Sequence, residues 1–171
     1  THLRGNRGVI ALHSTGTGKT LTAAAASRCV LEAKAAEVVV FVVKKSTVSA
    51  IKSELLRFWP ACPIDEKYRF VTWEKLTMSS RVMPPPSSTM TIVDEAHLMR
   101  NVRSDHPAFR YVRRSKRVLL LTATLVVNDL HDVAPLLAAV RGQGKIMQKR
   151  KLLQQMESNF RNLFKLSLIH I

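Results

Sequence analysis

The segment His13-Ser14-Thr15-Gly16-Thr17-Gly18-Lys19-Thr20 joins a short apolar run, Val9-Ile10-Ala11-Leu12, to an alanine-rich stretch of helical composition. Glycines at 16 and 18 let backbone amides close around an anion without a side-chain clash. The N-terminus of the following helix adds partial positive charge. Gly-Lys-Thr at a strand-to-helix junction is the arrangement that cradles nucleotide phosphates. Ser14, Thr15, Gly16, Thr17 and Gly18 would form the cradle, Lys19 would reach the β- and γ-phosphates, and the Thr20 hydroxyl would hold Mg²⁺. His13 stands five positions before Gly18, where such loops usually begin with glycine.

A second stretch, Thr91-Ile92-Val93-Asp94-Glu95-Ala96-His97, delivers two adjacent carboxylates at the end of an apolar run. Asp94 suits a Mg²⁺ ligand, directly or through water, and Glu95 suits a group that orients or deprotonates an attacking water. Alone, the segment reads equally well as an acidic turn after a strand. Placed 75 residues after Lys19, it completes the two halves of a Mg–nucleotide site in the expected order. The third stretch is Leu119-Leu120-Leu121-Thr122-Ala123-Thr124, followed by Asn128. Its hydroxyls could bond the carboxylates or His97 and so register the state of the nucleotide, although two threonines also cap a strand end well. Lys19, Asp94, Glu95 and His97 form the candidate catalytic set, with Thr122, Thr124 and Asn128 as candidate coupling residues.

Apolar runs alternating with helical patterns must position these groups. Val9–Leu12, Val38–Val43, Tyr68–Thr72, Met90–Val93 and Val118–Leu121 read as strands; the second is continuous and β-branched, as a strand covered on both faces should be. Helices are predicted over Lys19–Ala35, from Ser46 or Thr47 to Phe58, over Trp73–Met78, Pro107–Arg114 and Asp129–Val140, and as a basic helix over Lys149–Lys165. Val48, Ile51, Leu55 and Phe58 share one face of the second helix. Pro84-Pro85-Pro86-Ser87-Ser88 reads as a surface loop. The alternation predicts an α/β fold with a mostly parallel sheet, and all three chemical segments fall where a strand ends, which is where such folds bind ligands.

The chain has 171 residues, 46% hydrophobic and 23% charged, enough for one domain with a sizeable core. Its 27 Lys+Arg against 12 Asp+Glu give a net charge of +15, which favours a polyanionic partner, most simply nucleic acid. The excess is concentrated after residue 99: Arg110, Arg113, Arg114, Lys116 and Arg117 precede the last strand, and Lys149, Arg150 and Lys151 open the last helix, so this half suggests contacts to a phosphate backbone. Cys29 and Cys62 lack metal-ligand spacing and read as structural thiols of a reducing intracellular compartment. Neither a signal peptide nor a membrane-spanning run is present in the sequence.

Together the three segments resemble the first RecA-like domain of superfamily 2 helicases and translocases. Ser14–Thr20 resembles motif I, Asp94-Glu95-Ala96-His97 resembles motif II in its DEAH spelling, and Thr122-Ala123-Thr124 resembles motif III. The wording around them is similar to the Swi/Snf-like helicases of large DNA viruses, a group that includes poxvirus-type nucleoside triphosphate phosphohydrolases and early transcription factor ATPases. The resemblance implies a RecA-like P-loop NTPase domain of three α/β/α layers, with ATP and Mg²⁺ as cofactors. It implies nucleic-acid contacts from Lys44, Lys45 and Ser46, in the place of motif Ia, and from Thr72. DNA is the expected track ahead of RNA, and a viral factory or virion is an implied location.

On this reading residues 1–141 are the ATP-binding domain, 142–165 a basic helical extension toward a second RecA-like domain, and 166–171 a tail foreign to the native protein. The second domain and its arginine finger would lie outside this chain, so the parent is expected to be a nucleic-acid-stimulated ATPase and this piece weakly active or inactive alone. Leu125 replaces the proline that usually follows Thr-Ala-Thr in this family. Two other readings remain: a non-catalytic nucleic-acid-binding P-loop module, and another P-loop enzyme such as a nucleotide kinase, against which Asp-Glu-Ala-His argues.

Overall fold

The computed structural model describes residues 7–14, 16–78, 82–124, 132–143, 146, 148, 150, 151, 153, 154, 157 and 158. Thr15, Leu125, Asn128 and most of the expected 142–165 extension, together with 166–171, lie outside the described residues. The elements in chain order are β1 (Gly8–Leu12), α1 (Lys19–Glu32), β2 (Val38–Val42), α2 (Val48–Phe58), α3 (Ile64–Lys67), β3 (Tyr68–Val71), α4 (Trp73–Met78), β4 (Thr89–Val93), α5 (Pro107–Arg114), β5 (Arg117–Thr122) and α6 (Val133–Arg141). Short 3₁₀ turns occupy Lys45–Thr47, Pro86–Ser88 and Ala96–Asn101.

The five strands are all parallel and lie in the order β1-β5-β4-β2-β3. Parallel pairing requires crossover helices, which cover both faces and leave three layers. Alternation along β2 shows how one apolar run serves two cores. Val39, Phe41 and Val43 pack with Ala23 and Ala24 of α1 and with Ile51 and Leu55 of α2. Val40 and Val42 face the other way, toward Leu76 of α4, Phe109 and Val112 of α5 and Leu136 of α6. Because the strands are parallel, every strand ends at the same pole, and β5 lies between β1 and β4. The Thr122 end of β5 is thereby placed between the glycine-rich loop after β1 and the carboxylates after β4.

Local differences from the sequence expectation have local causes. The first helix stops at Glu32 rather than Ala35. Lys34 adopts φ 52°, and the Ala35 N–H donates to Val30 O at 2.9 Å, a left-handed C-terminal cap built without the usual glycine. Thr47 does not cap α2 with its side chain; its hydroxyl donates back to Lys44 O at 2.8 Å and closes the 3₁₀ turn instead. Phe58, expected on the inner face of α2, is 38% exposed at the last residue of the helix. Of the two thiols, Cys62 packs in the core as expected, whereas Cys29 is exposed on α1.

One residue outside every motif ties the far pole together. The Arg7 guanidinium donates to Ala139 O (2.7 Å) and Val140 O (3.0 Å) at the end of α6, and to Val112 O (3.4 Å) and Arg113 O at the end of α5. It thus adds a cation to the terminal carbonyls of two helices, where both macrodipoles favour one.

Candidate nucleotide site

The loop between β1 and α1 turns through two left-handed glycines, Gly16 at φ 78° and Gly18 at φ 90°. A Cβ at Gly16 would meet nothing within 4 Å and one at Gly18 only Leu21 Cβ at 4.0 Å, so the loop is open at the N-terminus of α1, where backbone amides can receive an anion. The loop is braced at its start by the Thr17 N–H and hydroxyl, which donate to Ser14 O at 3.2 and 2.7 Å. His13 extends the β1–β5 pairing, its N–H donating to Thr122 O at 3.0 Å. Its side chain turns onto α1, with Nε2 at 3.1 Å from the Thr22 hydroxyl. The residue in the place of the usual leading glycine therefore fastens the loop to its helix.

Across the loop, the Lys19 ammonium lies 2.7 Å from Glu95 Oε1. The other Glu95 oxygen lies 3.2 Å from His97 Nδ1, which is also 3.2 Å from Thr122 Oγ1. The Thr122 hydroxyl donates to Thr124 O at 2.7 Å and accepts the Thr124 N–H at 3.2 Å. Its one proton is thus committed, so His97 Nδ1 carries a hydrogen and donates to Thr122, with the Glu95 carboxylate close beside it. A continuous polar chain, Lys19–Glu95–His97–Thr122–Thr124, crosses the ends of β1, β4 and β5.

Glu95 reaches this position through strain. It adopts φ 50°, left-handed for a residue with a Cβ, and begins the 3₁₀ turn Ala96–Asn101. Such backbone costs about 1–2 kcal/mol and persists where the surroundings impose it, commonly at functional sites. Asp94 precedes it as the last link to the sheet, its N–H donating to Val42 O at 3.0 Å and its Oδ1 accepting the Glu95 N–H at 3.0 Å. Burial, and then the Glu95 charge, push the Asp94 carboxyl above the ordinary carboxylate range, against an opposing pull from Lys19 and Lys44.

Among the described residues no group of three or more His, Cys, Asp and Glu side chains could hold a metal by itself. One half-buried carboxylate and a helix-start hydroxyl would suit only an ion that keeps several waters and shares its shell with phosphates, as Mg²⁺ does. Asp94 and Thr20 fit that role.

Beside Asp94 and Glu95, on the side away from the phosphate loop, a cleft of about 450 Å³ opens at the ends of β2, β3 and β4. Lys44, Lys45 and Thr72 line it, three of the four residues expected to touch nucleic acid; Ser46 is exposed but outside the lining. Trp73, Glu74 and Leu98 complete its walls.

The family described as Type III restriction enzyme, res subunit, matches residues 2–127 of this sequence. The chain belongs to that family. It has the RecA-like ATPase fold of superfamily 2 helicase-type domains. The candidate ATP-dependent RNA helicase L538 of Acanthamoeba polyphaga mimivirus is 32% identical over 160 residues, covering 90% of this chain and 33% of that protein. The Sulfolobus solfataricus SWI2/SNF2 ATPase core solved with dsDNA shares the fold, with a TM-score of 0.67 and 18% identity over 82% of this chain and 33% of that one. The chain therefore spans about a third of the length of either relative.

In this helicase-family domain the basic run splits in a way the sequence did not foretell. α5 starts at the site pole, where His106 stacks on Trp73, and runs away from it. Arg113, Arg114, Lys116 and Arg117 consequently sit with the helix C-termini and the start of β5, at the opposite end of the sheet from Lys44 and Lys45. Arg113 reaches Gln143 O there at 3.3 Å. They share no surface with the expected track residues. Trp73 and Leu98 were missed as site residues because a lone Trp opening a helix and a Leu after DEAH read as core, yet Leu98 is 59% exposed. Among the described residues no helix is long and apolar enough to cross a membrane.

Proposed function

We propose that this domain is the phosphate-binding half of a nucleic-acid-dependent ATPase, with DNA as its track. The observation that carries the reading is the ion pair between Lys19 and Glu95, with Glu95 held in turn by His97 against Thr122. That arrangement puts the phosphate lysine and the water-activating carboxylate in direct exchange. When a γ-phosphate oxygen takes the Lys19 ammonium, Glu95 keeps His97 and turns its freed oxygen to a water. Thr20, and Asp94 through water, would hold Mg²⁺, which when bound screens charge on the phosphates. Thr122 and Thr124, with Asn128, would transmit the change to the domain that closes over the nucleotide. The arginine that stabilises the transferring phosphoryl group would come from a second RecA-like domain of the parent, a contribution of about 10³–10⁵-fold in kcat.

Steady-state ATP hydrolysis by the full-length parent, with and without single-stranded DNA, duplex DNA and RNA, tests the reading. Lys19→Ala should abolish turnover with the fold intact, and Glu95→Gln should abolish turnover while retaining ATP binding. Stimulation by RNA alone would overturn the choice of track. An active Lys19→Ala parent would overturn the assignment and favour a P-loop module that binds nucleic acid without catalysis.

A further inference from the structure

We propose that the cleft beside Asp94 and Glu95 is a nucleobase subsite, taking one unstacked base of the track against Trp73 and Leu98 while Lys44 and Lys45 hold the flanking phosphates. The inference rests on the nucleic-acid reading above and goes beyond backbone contact. At about 450 Å³ the cleft lies within the range of about 300–1,000 Å³ that holds small ligands, far more room than a phosphate needs. Its floor is apolar, formed by Val42, Val93 and Met99. Trp73 lines it and is held from behind by the His106 ring, 5.9 Å away and 13° from parallel. His106 is itself fixed at the start of α5, its N–H donating to Arg103 O at 3.1 Å. An indole braced in this way is a ready stacking platform, with little side-chain freedom left to lose. Leu98 forms a second apolar wall and is 59% exposed, which leaves apolar surface free for a base to cover.

The charges select the occupant. Lys44 and Lys45 are exposed cations at the rim, suited to phosphates. Asp94, Glu95 and Glu74 line the walls, and they would repel a phosphate or an acidic peptide pushed inside. A neutral, flat, hydrogen-bonding base with its phosphates left outside satisfies both conditions. The base would then abut Asp94 and Glu95, which links occupancy of the track to the carboxylates of the nucleotide site.

The test is binding of short single-stranded DNA to the 171-residue chain by fluorescence anisotropy, using intact oligonucleotides and ones made wholly of abasic sugar-phosphate. Stacking on one aromatic corresponds to about 5- to 150-fold in affinity per base. Intact DNA should bind tighter by a factor in that range. Trp73→Ala and Leu98→Ser should erase most of the advantage, and Trp73→Phe should restore much of it. Leu98→Ser, at an exposed position, covers the case in which Trp73→Ala fails to fold. A 2-aminopurine base should be quenched by the wild-type chain and not by Trp73→Ala. Lys44→Ala should weaken intact and abasic strands equally. Equal affinity for intact and abasic strands, with Lys44→Ala still weakening both, would overturn the base subsite and leave the track reading standing. Absence of any nucleic-acid binding would overturn both. Capture of peptides through Trp73, with oligonucleotide binding indifferent to its removal, would also overturn it.

Discussion

Thr122→Val isolates the link between the end of β5 and Glu95, the carboxylate proposed to activate water. The side chain is fully buried, and its hydroxyl has three partners: Thr124 O at 2.7 Å, the Thr124 N–H at 3.2 Å and His97 Nδ1 at 3.2 Å. Valine keeps the β-branched shape and removes all three bonds. Thr124 is exposed, so its backbone groups can turn to water, and His97 retains Glu95 Oε2 at 3.2 Å. The penalty for unsatisfied groups should therefore sit at the low end of its range, about 1 kcal/mol. For a domain of this size that lowers Tm by roughly 2–4 °C. The effect on turnover should be larger than the effect on the fold. His97 would lose its hydrogen bond to the strand end, and the Glu95 oxygen beside it would lose its reference point.

A positioning loss of this kind is about tenfold in kcat, or about 1.4 kcal/mol of barrier. KM for ATP should stay within about twofold, because the Gly16–Thr20 cradle is untouched. Steady-state ATPase of the parent at saturating nucleic acid measures both, and Thr122→Ser, which keeps the hydroxyl, should recover most of kcat. A double-mutant cycle with His97→Ala should show coupling of about 1 kcal/mol. Unchanged kcat with a lowered Tm, or strict additivity in the cycle, would reduce Thr122 to a strand cap and refute the reasoning.

Arg7→Ala removes a cation that caps two helix C-termini and should cost about 2–4 kcal/mol of stability by urea denaturation. Arg7→Lys should recover only part, since one ammonium cannot span the four carbonyls of α5 and α6; full recovery would deny the double cap. Asp94→Asn should raise Tm in the absence of Mg²⁺ and nucleotide. Its folded carboxyl lies above its unfolded value, so the native state binds the proton more tightly. Stability is then lost as pH rises from the unfolded toward the folded value, and the penalty is complete above it. The gain from Asp94→Asn should accordingly be larger at pH 7 than at pH 4, and a variant less stable at pH 7 would contradict this. Replacing Arg113, Arg114 and Lys116 together by alanine should leave oligonucleotide affinity nearly unchanged at physiological salt, where the Debye length is about 8 Å. Lys44→Ala with Lys45→Ala should instead flatten the salt dependence by about 1.4 in log–log slope for single strands. The reverse ranking would place the track at the far pole.

The sequence by itself determined the five strands and most of the helices, though not the short α3, and it pointed to the kind of chemistry. The continuous run Val38–Val43, rich in β-branched residues and short for a helix, reads as a doubly covered strand and is one, and α4 and α5 fall at their predicted limits. Gly16, Gly18 and Lys19 announce a phosphate cradle because few other arrangements require glycine at both positions before a lysine. Features carried by local backbone economy were less legible: α1 ends early on Lys34 because a lysine took the left-handed position glycine usually fills. Tertiary structure alone decided who meets whom. Strand order put β5 between β1 and β4, and only that order lets His97 bridge Glu95 and Thr122. It also divided one basic run between two poles, since a helix between parallel strands must travel the length of the sheet. Trp73, Leu98 and Arg7 carry no one-dimensional signal, because their roles come from neighbours far away in the chain: His106 behind the indole, and two helix ends around the guanidinium.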